Sequence, residues 1–173
     1  MMQWPDLTFV AFDTETTGLS PHTGDRIIEV GIVSFRVDAD GRVVDQQEYG
    51  QLINPEIPIP KQATEVSKLR DEDVADAPVF ADVAGEVAAF FDGAVAVAHN
   101  YPFDHAFLTA ELARVGVPWV EPIAAVDTVD LSRRRFPDAQ SHKLEKLAQR
   151  TGVTLKDAHR AVHDARACGE CLF

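Results

Sequence analysis

The apolar residues change their spacing roughly a third of the way along the chain, and that change limits the folds open to it. Leu7–Asp13 (LTFVAFD) is apolar and bounded by polar residues, which predicts a buried strand ending in a carboxylate. Thr14–Asp25 carries Gly18, Pro21 and Gly24 and is expected to be a loop. Arg26–Val37 (RIIEVGIVSFRV) is a long β-branched run. Asp38-Ala39-Asp40-Gly41 follows as a hairpin turn, and Arg42–Ile53 returns with the mixed polarity of a sheet edge. These segments predict an antiparallel meander. Asn54–Pro60 contains three prolines and must be irregular.

Beyond it the spacing becomes helical. Val79–Phe91 places Phe80, Val83, Ala84, Val87, Phe90 and Phe91 on one face. Ala94–Ala98 is a short buried strand. Pro102 suits the first turn of a helix that runs to Val115, with Phe103, Phe107, Leu108 and Leu112 inward and Gly116 as its stop. Ala124–Val126 is a further candidate strand. Thr128–Arg135, His142–Arg150 and Ala161–Cys171 are expected to be helices. A meander followed by strand–helix alternation predicts an α/β fold with a mixed central sheet flanked by helices, as one domain over residues 1–173.

Composition removes several classes. With 173 residues, 46% hydrophobic and 25% charged, the chain can bury a core and is neither a disordered segment, a collagen nor a coiled coil. No apolar run approaches the ~18 residues of a membrane span, so no membrane partner is expected. Met1–Asp6 has neither a basic nor an apolar leader region, and no signal peptide is expected. Cys168 and Cys171 can neither staple a secreted fold nor complete a zinc site and are expected to be buried thiols, which points to a reduced, cytoplasmic protein. The net charge of −12 argues against a nucleic-acid partner until its distribution is considered. Residues 1–130 hold 7 Lys/Arg against 23 Asp/Glu, whereas residues 131–173 hold 9 against 5. The body is acidic and the C-terminal quarter basic.

Four carboxylates stand out by position. Asp13 and Glu15 are two apart at the end of the first strand, so an extended backbone sends both side chains the same way. Asp104 lies at the start of a helix just after the Ala94–Ala98 strand, and ligand sites of α/β sheets gather at such strand ends. Asp164 lies in the final helix. Singly, these are ordinary turn, cap or helix-start residues. Together in one pocket they would repel one another and raise their own pKa values, a conflict that a hard divalent cation resolves. All-oxygen ligands suit Mg²⁺ or Mn²⁺, and two such ions ~4 Å apart can clamp both oxygens of a phosphodiester displacement.

Three segments carry a resemblance. Phe12-Asp13-Thr14-Glu15-Thr16-Thr17-Gly18-Leu19, Ala98-His99-Asn100-Tyr101-Pro102-Phe103-Asp104 and Ala158-His159-Arg160-Ala161-Val162-His163-Asp164-Ala165 resemble, in order, the three motifs of the DnaQ-like DEDDh exonucleases. Arg26-Ile27-Ile28-Glu29-Val30-Gly31 and Asp127-Thr128 add weaker similarity. The resemblance implies a ribonuclease H-like fold and 3′–5′ exonuclease activity with two divalent cations, Mg²⁺ or Mn²⁺. Asp13, Glu15 and Asp164 would hold the metals, Asp104 would support the second, and His159 would be the general base. Histidine titrates near neutrality, which suits that role. Where the family's other branch carries Tyr, four residues before the last Asp, this chain has Arg160. The His lies five before, so the histidine branch is indicated.

Five residues along a regular helix turn through roughly 140° from alignment, so His159 is predicted to lie just outside the helix that holds Asp164. An HxxxH zinc pair of His159 and His163 is the alternative reading, but it lacks the glutamate of a HExxH site. By resemblance, Thr16, Thr17, Gly18 and Leu19 would hold the 3′-terminal nucleotide with Leu19 as a wedge. Phe103 would stack on base or sugar, and His99 and Asn100 would orient the site by hydrogen bonds. Arg133, Arg134, Arg135, Lys143, Lys146 and Arg150 are candidates to track incoming phosphates, or else form a solvated helix face. His142 is expected to be a helix-start residue. Ser67-Lys68-Leu69-Arg70 replaces the His-Gly-Ile-like turn of many relatives.

The expected substrate is the 3′ end of single-stranded or frayed nucleic acid, DNA favoured, cleaved to nucleoside 5′-monophosphates. A proofreading subunit partnered by a DNA polymerase subunit, a free-standing DNA exonuclease and an RNA-processing exoribonuclease are the rival readings within the class. A noncatalytic nucleic-acid-binding scaffold is the reading outside it. The end at Phe173 leaves no room for a polymerase-binding tail, so either such a tail is absent or the sequence is trimmed at its C-terminal end.

Overall fold

The computed structural model describes residues 6–156 and 159–173. The leader reading at Met1–Pro5 and Ala158 of the third motif lie outside them. Five strands form one open sheet in the order β3-β2-β1-β4-β5. They are β1 (Thr8–Thr16), β2 (Ile27–Val37), β3 (Val43–Leu52), β4 (Ala94–Ala98) and β5 (Ala124–Asp127). β1, β2 and β3 pair antiparallel, whereas β4 and β5 add in parallel on the other side of β1. The sheet is mixed and begins as the predicted meander. The hairpin forms at the expected turn, with the Asp38 N–H donating to the Arg42 carbonyl at 2.9 Å and Gly41 at φ 80°, a backbone region that glycine enters freely.

The first strand runs three residues past its sequence-read end. Pairing with β2 continues through Glu15 opposite Glu29 and, after a register shift, Thr16 opposite Ile27. Backbone hydrogen bonding overrides the loop-forming composition of Thr14–Thr16.

Helices cover both faces. On one, α3 (Phe80–Ala89) and α4 (Tyr101–Arg114) pack over Val10, Phe12, Val30 and Ile32. On the other, α7 (Ala161–Glu170) lies across Phe9, Ala11, Val33 and Phe35. Residues 9 to 12 thus alternate between two cores, and this stretch of β1 is continuously apolar because both its faces are buried. Each fully buried Phe or Ile contributes roughly 1.5–3 kcal/mol, so this central strand is well anchored. α5 (Thr128–Arg135) follows and packs beside β5, while α6 (Leu144–Thr151) sets Leu147 and Ala148 against Cys171 at the end of α7. Two short helices, α1 (Lys61–Ser67) and α2 (Asp71–Val74), do not show in the apolar spacing; Leu69 between them and Val74 of α2 are buried on Ile28 and Ile59. No helix among the described residues is long and apolar enough to cross a membrane.

Two close approaches seat α7. Gly31 on β2 faces the backbone of Ala161 and Val162, and a Cβ at that position would overlap it. Gly169 faces Phe35, whose Cε1 would be 2.7 Å from an added Cβ. Bare backbone on strand and helix lets α7 settle onto the sheet beside the acidic end of β1.

Candidate active site

Asp13 and Glu15 follow Phe9 and Ala11 in period two and therefore rise on the α7 side of the sheet. There Asp164, in the first turn of α7, meets them. Ligand atoms of Glu15, His159 and Asp164 all lie within 4.8 Å of one another. Asp104 arrives from the first turn of α4. Its Oδ1 accepts from the Thr14 backbone N–H at 2.9 Å and from Thr14 Oγ1 at 2.8 Å, which fixes it against β1. Asp13 and Asp104 lie outside that tightest triad but couple to it by charge.

The electrostatics are those of a crowded acidic site. Burial, then repulsion from Asp164, Glu29 and Asp104, lifts Glu15 to about 8, while Arg160 opposes the rise. Burial lifts Asp104 to about 7 against its hydrogen bonds from Thr14. Asp13 is held well above the usual carboxylate range by burial and by Asp104, Asp164 and Glu15. Asp164 is raised by burial, opposed by the His159 backbone N–H that donates to its Oδ2 at 3.1 Å. Its other oxygen, Oδ1, is buried without a hydrogen-bond partner among the described residues. An acceptor-only oxygen aimed into a group of carboxylates is what a hard cation would satisfy. The residues present therefore fit a divalent metal.

His159 has φ 72° and precedes α7, which starts at Ala161. It lies outside the regular helix, as the five-residue spacing requires. It consequently shares no helical face with His163, and the HxxxH zinc reading loses its geometric basis.

The substrate-side residues divide. A groove of about 580 Å³ is lined by Glu15, Thr16, Thr17, Gly18, Leu19, Val66 and Phe103, among others, so it opens directly onto the acidic group. Leu19 is 87% exposed on its rim. The loop beneath is braced by Asp25, whose Oδ2 accepts from the Ser20 N–H at 3.1 Å, and Gly18 has no Cβ because the Asp25 carboxylate fills that space. Phe103 is half-buried: it packs on the core beside Phe107, ring centroids 5.0 Å apart, and its other side lines the groove. His99 and Asn100 make structural bonds at the end of β4. His99 Nδ1 is 2.9 Å from Thr128 Oγ1, and Asn100 donates its backbone N–H to Asp127 Oδ1 at 3.1 Å. Both tie β4 to β5 and α5.

Other expectations resolve as follows. His142 precedes α6, its Nδ1 2.9 Å from Ser132 Oγ. Both cysteines are buried. Arg133, Arg134, Arg135, Lys143, Lys146 and Arg150 are exposed on or beside α5 and α6. At the replaced turn Lys68 takes φ 64°, and Leu69 plugs the small core beneath α1.

Sequence reading passed over one functional neighbour. Glu29 is 1% exposed, and its carboxylate receives Arg160 Nε at 3.0 Å, Arg160 Nη2 at 2.9 Å and the Ala161 N–H at 3.3 Å. The available signal was a carboxylate set between apolar residues in Ile27–Gly31, which must be paired to be buried.

Residues 10–172 match the RNase_T exonuclease family. The chain belongs to the DnaQ-like exonucleases. It is 40% identical over 169 residues to a DNA polymerase III subunit epsilon-like protein of Rhodobacter capsulatus, covering 96% of this chain and 23% of that one. It is 38% identical to DNA polymerase III subunit epsilon of Treponema pallidum, covering 95% and 74%. A PolC-type DNA polymerase III of Caldanaerobacter subterraneus is 38% identical, and the chain spans 11% of it. The chain thus corresponds to a small part of two of these relatives and most of the third. Among solved structures, E. coli exonuclease I with single-stranded DNA superimposes with TM-score 0.79 at 19% identity over 94% of this chain and 38% of that one. Exonuclease X with 5′-overhanging duplex DNA gives 0.63 at 27%, over 96% and 88%. This DnaQ-like exonuclease domain has the ribonuclease H-like fold that its sequence led one to expect.

Proposed function

We propose that this domain, taken as one unit over residues 1–173, is a metal-dependent 3′–5′ exonuclease that shortens single-stranded or frayed DNA ends to nucleoside 5′-monophosphates. The observation that carries the reading is the meeting of Glu15, His159 and Asp164 within 4.8 Å, with a buried carboxylate oxygen left over. Asp13, Glu15 and Asp164 would hold two divalent cations, Mg²⁺ or Mn²⁺, with Asp104 in support. Such ions supply positive charge to the phosphate and its attacking and departing oxygens. The groove between Leu19, Val66 and Phe103 receives the terminal nucleotide, and stacking on Phe103 is indifferent to base identity. The His159 ring takes one proton from the attacking water while the new P–O bond forms. The P–O bond to the preceding nucleotide's 3′-oxygen breaks, and that oxygen leaves to take up a proton.

Two relatives bearing DNA polymerase III epsilon names support DNA over RNA and a polymerase subunit as partner. The test uses a 5′-labelled single-stranded oligonucleotide with Mg²⁺ or with EDTA. Stepwise shortening from the 3′ end, stopped by EDTA and by Asp13→Ala in a folded variant, is the expected result. Binding without shortening would make the protein a scaffold, and preference for a matched RNA would move it among the exoribonucleases.

A further inference from the structure

Two carboxylates oppose each other at the mouth of the site. Glu15 and Glu29 are register partners on β1 and β2, and both project to the α7 side. Like charges directly opposite on an antiparallel pair destabilise it, and Glu29 is the more deeply buried of the two, at 1% exposure against 9%. Its charge is met from across the interface by the Arg160 guanidinium and the first N–H of α7. Arg160 is the residue after His159 and the N-cap position of α7. The same short segment holds His159 at φ 72°, a conformation that a non-glycine residue keeps only when its surroundings hold it there.

We propose that Glu29 is a positioning residue: its grip on Arg160 and Ala161 sets the left-handed turn that presents His159 to Glu15 and Asp164. The idea rests on the exonuclease reading above. Three features make a clasp of this pair. Glu29 sits two residues from Gly31 on the same face of β2, where bare backbone admits Ala161 at close range. Each Glu29 oxygen has a separate task, Oε1 taking the guanidinium and Oε2 the helix N–H. The His159 N–H is drawn to Asp164 Oδ2, so the turn is held at both ends. β2 thereby contributes to the geometry of the imidazole without touching substrate.

The experiment compares Glu29→Gln, which keeps shape and a neutral hydrogen bond, with wild type, His159→Ala and the double variant. Activity is read on the 5′-labelled oligonucleotide in Mg²⁺. Glu29→Gln is expected to lower kcat by about 10–100-fold with KM within about twofold, because a misplaced catalytic group loses rate. In the His159→Ala background the same change is expected to cost less than about threefold, since residues that act as a unit are non-additive. Multiplicative losses would mean that Glu29 acts elsewhere, for instance through its charge on Glu15, and would overturn the proposal. So would an unchanged kcat.

A second readout needs no activity. Amide hydrogen exchange at His159 and Ala161 is expected to quicken by at least about tenfold in Glu29→Gln while β1 amides keep their protection. Unchanged exchange there overturns the clasp. Quickened exchange in a protein whose wild type cuts nothing would preserve the clasp and remove the exonuclease reading.

Discussion

Replacing Gly31 by alanine adds a single methyl group at the seat of α7. That Cβ would fall inside the backbone of Ala161 and Val162, whereas ordinary contact begins at 3.4 Å. Strand β2 lies second in the sheet, paired on both sides, and cannot retreat. The first turn of α7 must therefore lift by more than about 1 Å. Asp164 is in that turn and moves with it, and a misplacement of about 1 Å costs a reaction roughly 100-fold. Overpacking adds about 1–3 kcal/mol of destabilisation, worth about 2–4 °C in Tm for each kcal/mol in a chain of this size. Gly169→Ala gives a graded comparison: its Cβ would be 2.7 Å from the edge of the Phe35 ring, so a retreat of about 0.7 Å suffices and falls at the far end of α7. Gly85→Ala is the control. It lies in α3 with nothing within 4 Å of an added Cβ, so helix propensity alone acts and stability rises by about 0.5–1 kcal/mol. Scanning calorimetry and kcat on a labelled oligonucleotide give the order of loss. The expectation is Gly31→Ala largest, Gly169→Ala intermediate and Gly85→Ala none. A Gly31→Ala protein with wild-type Tm and kcat within twofold would refute the argument that bare backbone seats the helix.

Three further outcomes follow from the same geometry. Glu111 is 1% exposed and takes Arg26 through both oxygens at 2.7 and 3.0 Å, so Glu111→Ala leaves Arg26 with only the Pro55 carbonyl and a 3.9 Å pairing with Glu56 and should cost about 1–3 kcal/mol in urea unfolding. With Glu15 raised from 4.5 to about 8 and Asp104 from 3.8 to about 7, the folded metal-free protein holds protons that the unfolded chain releases. Stability from these groups is complete below their unfolded pKa values and is lost as pH rises toward 8. Melting in EDTA should thus fall between pH 5 and pH 8, and saturating Mg²⁺ should flatten the fall; equal slopes with and without metal would contradict the shared acidic site. Leu19→Ala should leave Tm unchanged, because the side chain is 87% exposed, but raise KM for an oligonucleotide several-fold; an unchanged KM would remove Leu19 from the groove's function.

Much of this was legible because period and chemistry agreed. The β1 carboxylates could be put on one face from spacing alone, and the helix arithmetic that expelled His159 from α7 needed no coordinates. What stayed hidden depends on long-range contacts. α1 and α2 contribute only Ala63 and Val74 to the small core around Leu69, too few to print a helical period. Phe103 shares its spacing with Phe107, yet only the packing of α4 decides that one also lines a groove while the other is wholly in the core. His99 stands out from its motif, but that its Nδ1 bonds Thr128, 29 positions away, depends on the docking of α5. Glu29 was visible as an oddity in an apolar run, and its partner could be known only once α7 had docked.

The chemistry of the site is distributed along the chain in a particular order. β1 emerges first with Asp13 and Glu15, α4 brings Asp104, and His159 and Asp164 come last. A chain cut ahead of His159 would display its early acids with neither imidazole nor fourth carboxylate, and would also lack the helix that covers Phe9, Val33 and Phe35. The acidic group with its imidazole is therefore complete only once α7 has docked on the sheet, so folding of the last helix assembles the site.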